Sequence, residues 1–287
     1  MKIIVSGADG QLGSEFNHVS NAYPQHTFVF ANRKVLDITS QESIAQFFDE
    51  NKPDIFINCA AYTAVDKAEE EMAIAKNINE IAPGVLAKYC QDHGCILIHY
   101  SSDYVYHCEV SEPMTELNDV NPQGVYARTK LAGEKNIIAN CDRSLIIRTS
   151  WVYSSFGNNF VKTMLRLGRA KEALTVVNDQ IGTPTYARDI AEATLELIPQ
   201  ITASGFSDFG IYNYSNTGVT NWMAFAKTIF ELEKIKCNVY PTTTQEYGAP
   251  AERPLWSVLS KEKIKNVFSL KIPSWETSLK KCLLDLK

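Results

Sequence analysis

Short apolar runs alternate with amphipathic stretches through the first half of the chain. Lys2–Ser6 reads as a buried strand and Gln11–Ser20 as a helix. Thr27–Ala31 predicts a second strand, and residues 40–50 a helix capped by Thr39 or Ser40. After the breaker Pro53, residues 54–58 predict a third strand. Residues 69–92 read as helical, with a break near Pro83-Gly84. Residues 95–100 then predict a strand, 123–139 a long helix, and Ser144–Thr149 a fifth strand. Strands that are apolar throughout, separated by helices, need cover on both faces. The expected fold is therefore α/β, with a Rossmann-like doubly wound parallel sheet over residues 1–150.

Past residue 150 the rhythm loosens. Short strands (174–177, 211–214) mix with helices (158–168, 187–198, 222–233, 275–284), and breakers thicken at Pro241, Gly248, Pro250 and Pro254. This predicts a smaller substrate lobe over 151–287, partly interleaved with the first, and a ligand cleft between the two.

Composition narrows the class. The 287 residues carry 28 Lys+Arg against 33 Asp+Glu, a net charge of −5 with no long basic run, which argues against nucleic acid or a membrane surface as partner. No stretch approaches the roughly 20 apolar residues of a membrane span, and the opening apolar run is too short for a signal peptide. The seven scattered cysteines (Cys108 among them) include no Cys-x-x-Cys pair, and the histidines have no metal-ligand spacing. A reducing, cytoplasmic location and no metal centre are expected.

The first strand runs into Gly7-Ala8-Asp9-Gly10-Gln11-Leu12-Gly13 and then a helix. Gly7 suits the tight turn, Gly10 lets backbone approach a pyrophosphate, and Gly13 lets helix and strand pack closely. Such a loop between strand and helix is the context that dinucleotide binding demands. The second strand ends in Asn32-Arg33, with no acidic residue for the ribose hydroxyls of NAD. Arg33 suits the 2′-phosphate of NADPH, so NADPH is the expected cofactor, with NADH as the alternative. Asp37 and Ile38 are placed to meet an adenine. Small residues after the third strand, Ala60 and Ala61, leave room for a cofactor across the sheet edge.

Tyr126 and Lys130 are four apart, on one face of a predicted helix. A free phenol titrates near pH ~10. A neighbouring Lys⁺ and a nicotinamide cation are expected to lower that value. Ser102, at the end of the fourth strand, adds a hydroxyl for the same carbonyl oxygen. A proton donor, its tuner and an oxygen clamp are what carbonyl–alcohol hydride transfer needs.

With these residues in hand, the chain resembles the extended short-chain dehydrogenase/reductases, and within them the dTDP-4-dehydrorhamnose reductase family. The likeness runs nearly end to end. It is strongest from Asn58-Cys59-Ala60-Ala61-Tyr62-Thr63 to Glu69, around Tyr100–Val105 and Val125–Glu134, in Arg148-Thr149-Ser150-Trp151, from Asn178 to Thr185, and at Ala251-Glu252-Arg253-Pro254. It implies reduction of a 4-keto dTDP sugar with Tyr126 as proton donor, Lys130 its partner and Ser102 the clamp. It also implies cofactor contacts from Gly10, Gln11, Leu12, Asp37, Ile38, Ala60, Ala61 and Thr63, and sugar-nucleotide contacts from Ser102, Asp103 and Trp151. Arg253 is assigned to the diphosphate on charge and place.

The chain departs from the family pattern at Gly124, Ala127 and His107-Cys108, which bears on loop geometry. Some family members hold Mg²⁺ at a homodimer interface. Glu15 matches one of those acidic positions, but Arg188 stands at another, so Mg²⁺ is not expected here. Two rivals stay open. Dehydratases or epimerases share the fold, but dehydratases place Asp-Glu after the hydroxyl, where this chain has Asp103-Tyr104. The regulatory subunit of methionine adenosyltransferase resembles the same family without catalysing its reaction, and an intact Tyr126, Lys130 and Ser102 favours catalysis.

Overall fold

The computed structural model describes residues 1–107 and 111–287, so Cys108 lies outside the described residues. The first part of the chain alternates β1 (Lys2–Ser6), α1 (Gln11–Ser20), β2 (Thr27–Ala31), α2 (Gln41–Asn51) and β3 (Ile55–Asn58). Then come α3 (Val65–Ala68), α4 (Met72–Lys76), α5 (Ala82–Asp92), β4 (Ile96–Ser102), α6 (Gly124–Asn140) and β5 (Ser144–Thr149). The second part begins with β6 (Val152–Tyr153), α7 (Phe160–Ala170), β7 (Ala173–Val177), β8 (Ile181–Gly182), β9 (Thr185–Tyr186) and α8 (Ala187–Ile201). It ends with β10 (Gly210–Asn213), β11 (Thr220–Asn221), α9 (Trp222–Leu232), β12 (Asn238–Thr242), α10 (Thr244–Tyr247), α11 (Glu262–Phe268) and α12 (Trp275–Asp285).

Six strands form one parallel sheet in the order β10-β5-β4-β3-β1-β2. The doubly wound α/β expectation is met. Alternation along β1 shows why its residues are apolar throughout. Ile3 and Val5 join Phe16, Ile57, Ile98 and the α8 residues Ile190 and Leu195 on one face. Ile4 joins Ile44, Phe48, Phe56, Leu86 and Ile146 on the other. The sixth strand, β10, comes from beyond residue 150 and pairs with β5, and α8 packs beside α1. A separate aromatic and aliphatic cluster (Tyr153, Phe225, Phe230, Trp275, Leu279) holds α7, α9 and α12 together.

Two local expectations change. The helical stretch before β4 does not break at Pro83-Gly84. Its irregularity lies earlier, in a π-helical turn over Asn77–Ile81, and Pro83 sits in the first turn of α5. There its missing N–H costs little. Residues 238–242, where the sequence predicts no strand and Pro241 counts as a breaker, form β12, which among the described residues pairs with β7 alone. A strand paired on one side tolerates a proline. No helix among the described residues is long and apolar enough to cross a membrane.

Candidate active site

The sheet order places β1 between β2 and β3, so the chain leaves in opposite directions from neighbouring strands there, and ligands bind at such switch points. At the carboxyl end of β1, Gly7 takes φ +67°. A Cβ on Gly7 would lie 2.6 Å from the backbone N of Ala60, and one on Gly13 would lie 2.4 Å from the carbonyl oxygen of Gly7. The loop after β3 and the start of α1 thus close on the turn as only glycine allows. Gly10 caps α1 without a side-chain bond. The first N–H groups of a helix lack intrahelical acceptors, and its N-terminus favours an anion.

A cleft of about 290 Å³ opens beside this turn, lined by Gly7, Gly10, Arg33, Asp37, Ile38, Ala60 and Ala61, among others. Asp37 Oδ1 accepts from the backbone N–H and the hydroxyl of Thr39, which hold its carboxyl below the usual range. Arg33 is exposed at the rim and acts on Asp37 through its charge. Leu12 packs on the core below α1, and Gln11 Oε1 accepts from Asn159 Nδ2 at 2.9 Å. Sequence reading missed what fixes the loop containing Thr63. Asn79, in the π-helical turn, accepts from Tyr62 N–H at 2.9 Å and donates to Tyr62 O at 3.0 Å. The residues fit a dinucleotide: a close-packed turn, a helix N-terminus and an adjoining cleft with a polar and an apolar wall.

Ser102, Asp103, Tyr126 and Lys130 converge at the carboxyl end of β4. Ser102 Oγ donates to Asp103 Oδ1 at 2.9 Å, accepts from Tyr104 N–H at 3.2 Å, and is near enough to the Tyr126 phenol to act on its titration. Burial pushes Asp103 up to about 7, against the opposing pull of the Ser102 bond. Tyr126 meets Tyr104 edge-on with centroids 5.6 Å apart. Val125 N–H, at the start of α6, donates to Glu69 Oε1 at 2.8 Å, and the neighbouring Gly124 has φ +73°. A backbone of this kind is one that few side chains other than glycine tolerate.

In the free protein, without the nicotinamide that the expectation also invokes, the Tyr126 phenol is not lowered by Lys130. The phenol is pushed up to about 12, first by burial and then by the Asp103 charge, with Ser102 opposing. Lys130 does not offset this. Its Nζ donates to the Tyr100 carbonyl at 2.6 Å, and burial pulls it down to about 8.

Arg253 binds Asp66 through two contacts of 2.8 and 3.0 Å and donates to its near neighbour Ala251 O. It lines a second cleft of about 1140 Å³ with His107, Gln123, Thr244 and Trp256. Tyr104 packs on the Tyr126 ring and feels the Arg253 charge, linking this cleft to the phenol. Trp151, with φ +47°, stacks on Trp222 at 3.6 Å between centroids and presses on Gly182.

The Mg²⁺ position does not fit a cation. Glu15 is fully buried on α1 and accepts from Ser154 Oγ at 2.6 Å and Arg188 Nε at 2.9 Å. Arg188 also binds Asp285 at 2.7 Å. The guanidinium stands where a metal would neutralise the carboxylates, and among the described residues no cluster of metal-ligating side chains occurs. A divalent-cation chelator is therefore expected to leave turnover unchanged. A loss of activity that added Mg²⁺ restores would overturn this.

Comparison with known proteins agrees with the site. A family model described as the RmlD substrate binding domain matches residues 1–287. The dTDP-4-dehydrorhamnose reductase of Escherichia coli K12 is 38% identical, with 100% of this chain and 98% of that protein covered. A crystal structure of a dTDP-4-dehydrorhamnose reductase from Clostridium acetobutylicum has a TM-score of 0.94 at 40% identity, covering 100% of this chain and 99% of its own. One from Bacillus anthracis, in complex with NADP, has a TM-score of 0.94 at 38% identity, covering 99% of each chain. End-to-end likeness at these identities, on a chain whose tyrosine, lysine and serine meet beside a dinucleotide turn, shows that the protein belongs to the dTDP-4-dehydrorhamnose reductase family.

Proposed function

We propose that this protein reduces the 4-keto group of dTDP-4-dehydro-L-rhamnose to give dTDP-L-rhamnose, with NADPH as reductant. The observation that carries the reading is the convergence of Ser102, Tyr126 and Lys130 at one strand end. NADPH, when bound, supplies the hydride. Gly7, Gly10 and Gly13 shape the turn for its diphosphate, with Gln11 and Leu12 opening the helix behind it. Asp37, Ile38, Ala60, Ala61 and Thr63 take the adenosine side.

Tyr126 gives its proton to the sugar oxygen as negative charge develops there, and Ser102 holds the same oxygen. A phenol near 12 is fully protonated at neutral pH, which is the state a proton donor needs. Ser102 must turn its hydroxyl from Asp103 to the substrate. Protonation of Asp103, whose titration lies near 7, weakens it as an acceptor and frees that hydroxyl. Arg253 exchanges Asp66 for the nucleotide diphosphate, an acceptor of higher charge. Trp151 bounds the sugar side beyond β5.

The direct test is oxidation of NADPH in the presence of dTDP-4-dehydro-L-rhamnose, with dTDP-L-rhamnose as the product identified. Failure to turn over this sugar while reducing another 4-keto nucleotide sugar would move the assignment to that substrate.

Arg33 carries the cofactor prediction. An arginine–phosphate contact contributes about 1–3 kcal/mol, so NADPH should be preferred to NADH by at least roughly fivefold. Arg33→Ala is expected to erase most of that preference. Equal discrimination in the variant, measured as kcat/KM with each cofactor, would reject the contact.

A further inference from the structure

Asn58, His99 and Lys130 are buried side by side under the site. Asn58 Oδ1 accepts from Ser6 Oγ at 2.8 Å and from the backbone N–H of Ala60 at 3.1 Å. A backbone N–H can only donate, so the amide's orientation is fixed and its NH₂ group is turned to His99. Asn58 Nδ2 lies 3.1 Å from His99 Nδ1, which must therefore accept. Burial, with the Lys130 charge added, keeps His99 far below its ordinary titration range, so the ring is neutral. A neutral imidazole that accepts at Nδ1 carries its hydrogen on Nε2.

His99 Nε2 lies 3.4 Å from Lys130 Nζ. An ammonium has donors only, so it meets Nε2–H as donor against donor. An amine has a lone pair for that hydrogen and still donates to the Tyr100 carbonyl. We propose that Asn58 and His99 form a positioning pair that favours the amine of Lys130 over its ammonium, by aiming His99 Nε2–H at Nζ.

The other groups around Lys130 do not supply this bias. Glu134, one turn along α6, favours the ammonium, but is itself bound twice by Arg148 from β5. Tyr126, one turn earlier, stays protonated, and burial holds Cys59 after β3 as a thiol. Asp103, beyond β4, is half protonated near neutrality. The pair thus works with burial, which alone already pulls the lysine down.

The bias makes Lys130 a proton donor matched to neutral solution, able to restore the proton that Tyr126 gives away. It also links protons to cofactor binding. Ribose hydroxyls and phosphates favour the ammonium, so the protonated enzyme binds NADPH more tightly. This consequence rests on the functional reading above, whereas the tautomer does not.

Nitrogen-15 NMR of histidine-labelled free protein, with His99 assigned by its loss in His99→Phe, reads the tautomer directly. A hydrogen on Nε2 is expected, and one on Nδ1 overturns the proposal. Asn58→Asp keeps the acceptor for Ser6 and Ala60 but reverses the contact to His99, moving the ring hydrogen to Nδ1. Nε2 then accepts from the ammonium. In the wild type, the Kd for NADPH should be flat below about pH 8 and rise roughly tenfold per pH unit above it. In Asn58→Asp that rise should start at least about one unit higher. The same break point in both folded proteins overturns the proposal. If Asn58→Asp does not fold, or if the wild type binds no NADPH, the wild-type tautomer alone decides.

Discussion

Tyr126→Phe is expected to lower kcat on the order of 10²-fold or more while leaving NADPH affinity near its wild-type value. The substitution removes one oxygen and keeps the ring, whose edge packs against Tyr104. The lost oxygen lies beside Ser102, the second hydroxyl of the site, which acts on its titration. With it goes the group placed to give the sugar oxygen its proton. Ser102 remains, so part of the charge stabilisation survives, and the residual rate should depend on it. Ser102→Ala in the Tyr126→Phe background should therefore cost less than Ser102→Ala alone, because the two hydroxyls act on one oxygen. The check is steady-state oxidation of NADPH with the keto sugar, beside a direct binding measurement. Unchanged turnover in a folded Tyr126→Phe protein would remove Tyr126 from the chemistry. In the free enzyme burial raises the phenol to about 12, so kcat/KM should show no loss of the tyrosine proton near neutral pH. A phenol titrating near 7 would contradict the burial.

Local features of this site are legible in the sequence because their geometry follows from spacing. The strand, glycine turn and helix at residues 2–20 are contiguous, and one switch from period two to helical period reveals them. Tyr126 and Lys130 share a face because four residues make about one helical turn. Long-range partners leave no such mark. Asp66 lies 187 residues from Arg253, and nothing in either segment names the other. His99 looks like one polar residue in an apolar strand, and nothing in that segment names Asn58 or Lys130 as its neighbours. The sequence points to a break at Pro83-Gly84 because Pro83 is the visible breaker, whereas the irregular turn precedes it.

The lysine's share in the tyrosine's titration is hidden from the sequence for a related reason. Spacing places a lysine beside the phenol, and an ammonium in water would lower it. The lysine is as buried as the strand beneath it, at 2% exposure, and it donates to Tyr100 O. Burial opposes both charged forms, raising the phenol and lowering the lysine together. A pattern of residue types shows which groups meet, but depth decides which protonation states they hold. At Glu15 the sequence already sets Arg188 against a metal, and the structure adds the direct contact between the two, across 173 residues.

Glu134→Gln should destabilise the protein by about 3–5 kcal/mol, because it leaves a buried guanidinium without its counter-charge. Glu134 on α6 and Arg148 on β5 are 1% and 3% exposed. Arg148 Nε lies 3.0 Å from Glu134 Oε1, and Nη2 lies 2.6 Å from Oε2, a two-pronged contact that fixes both planes. The guanidinium also sits 4.7 Å from the centre of the Tyr106 ring. A glutamine offers one neutral oxygen and turns an N–H₂ toward a donor. The melting temperature should fall on the order of 10 °C for a chain of this size. Replacing both partners with apolar residues of similar volume should recover most of the loss, since no unpaired charge remains. That rescue separates a missing counter-charge from simple loss of packing, which a double replacement would worsen. The damage should also reach the chemistry, because Glu134 follows Lys130 by one turn and anchors the helix that carries both it and Tyr126. In the fraction that stays folded, kcat should drop more than the Kd for NADPH rises. A Glu134→Gln protein that melts within about 2 °C of the wild type would show that the charge pair does not hold α6 to the sheet.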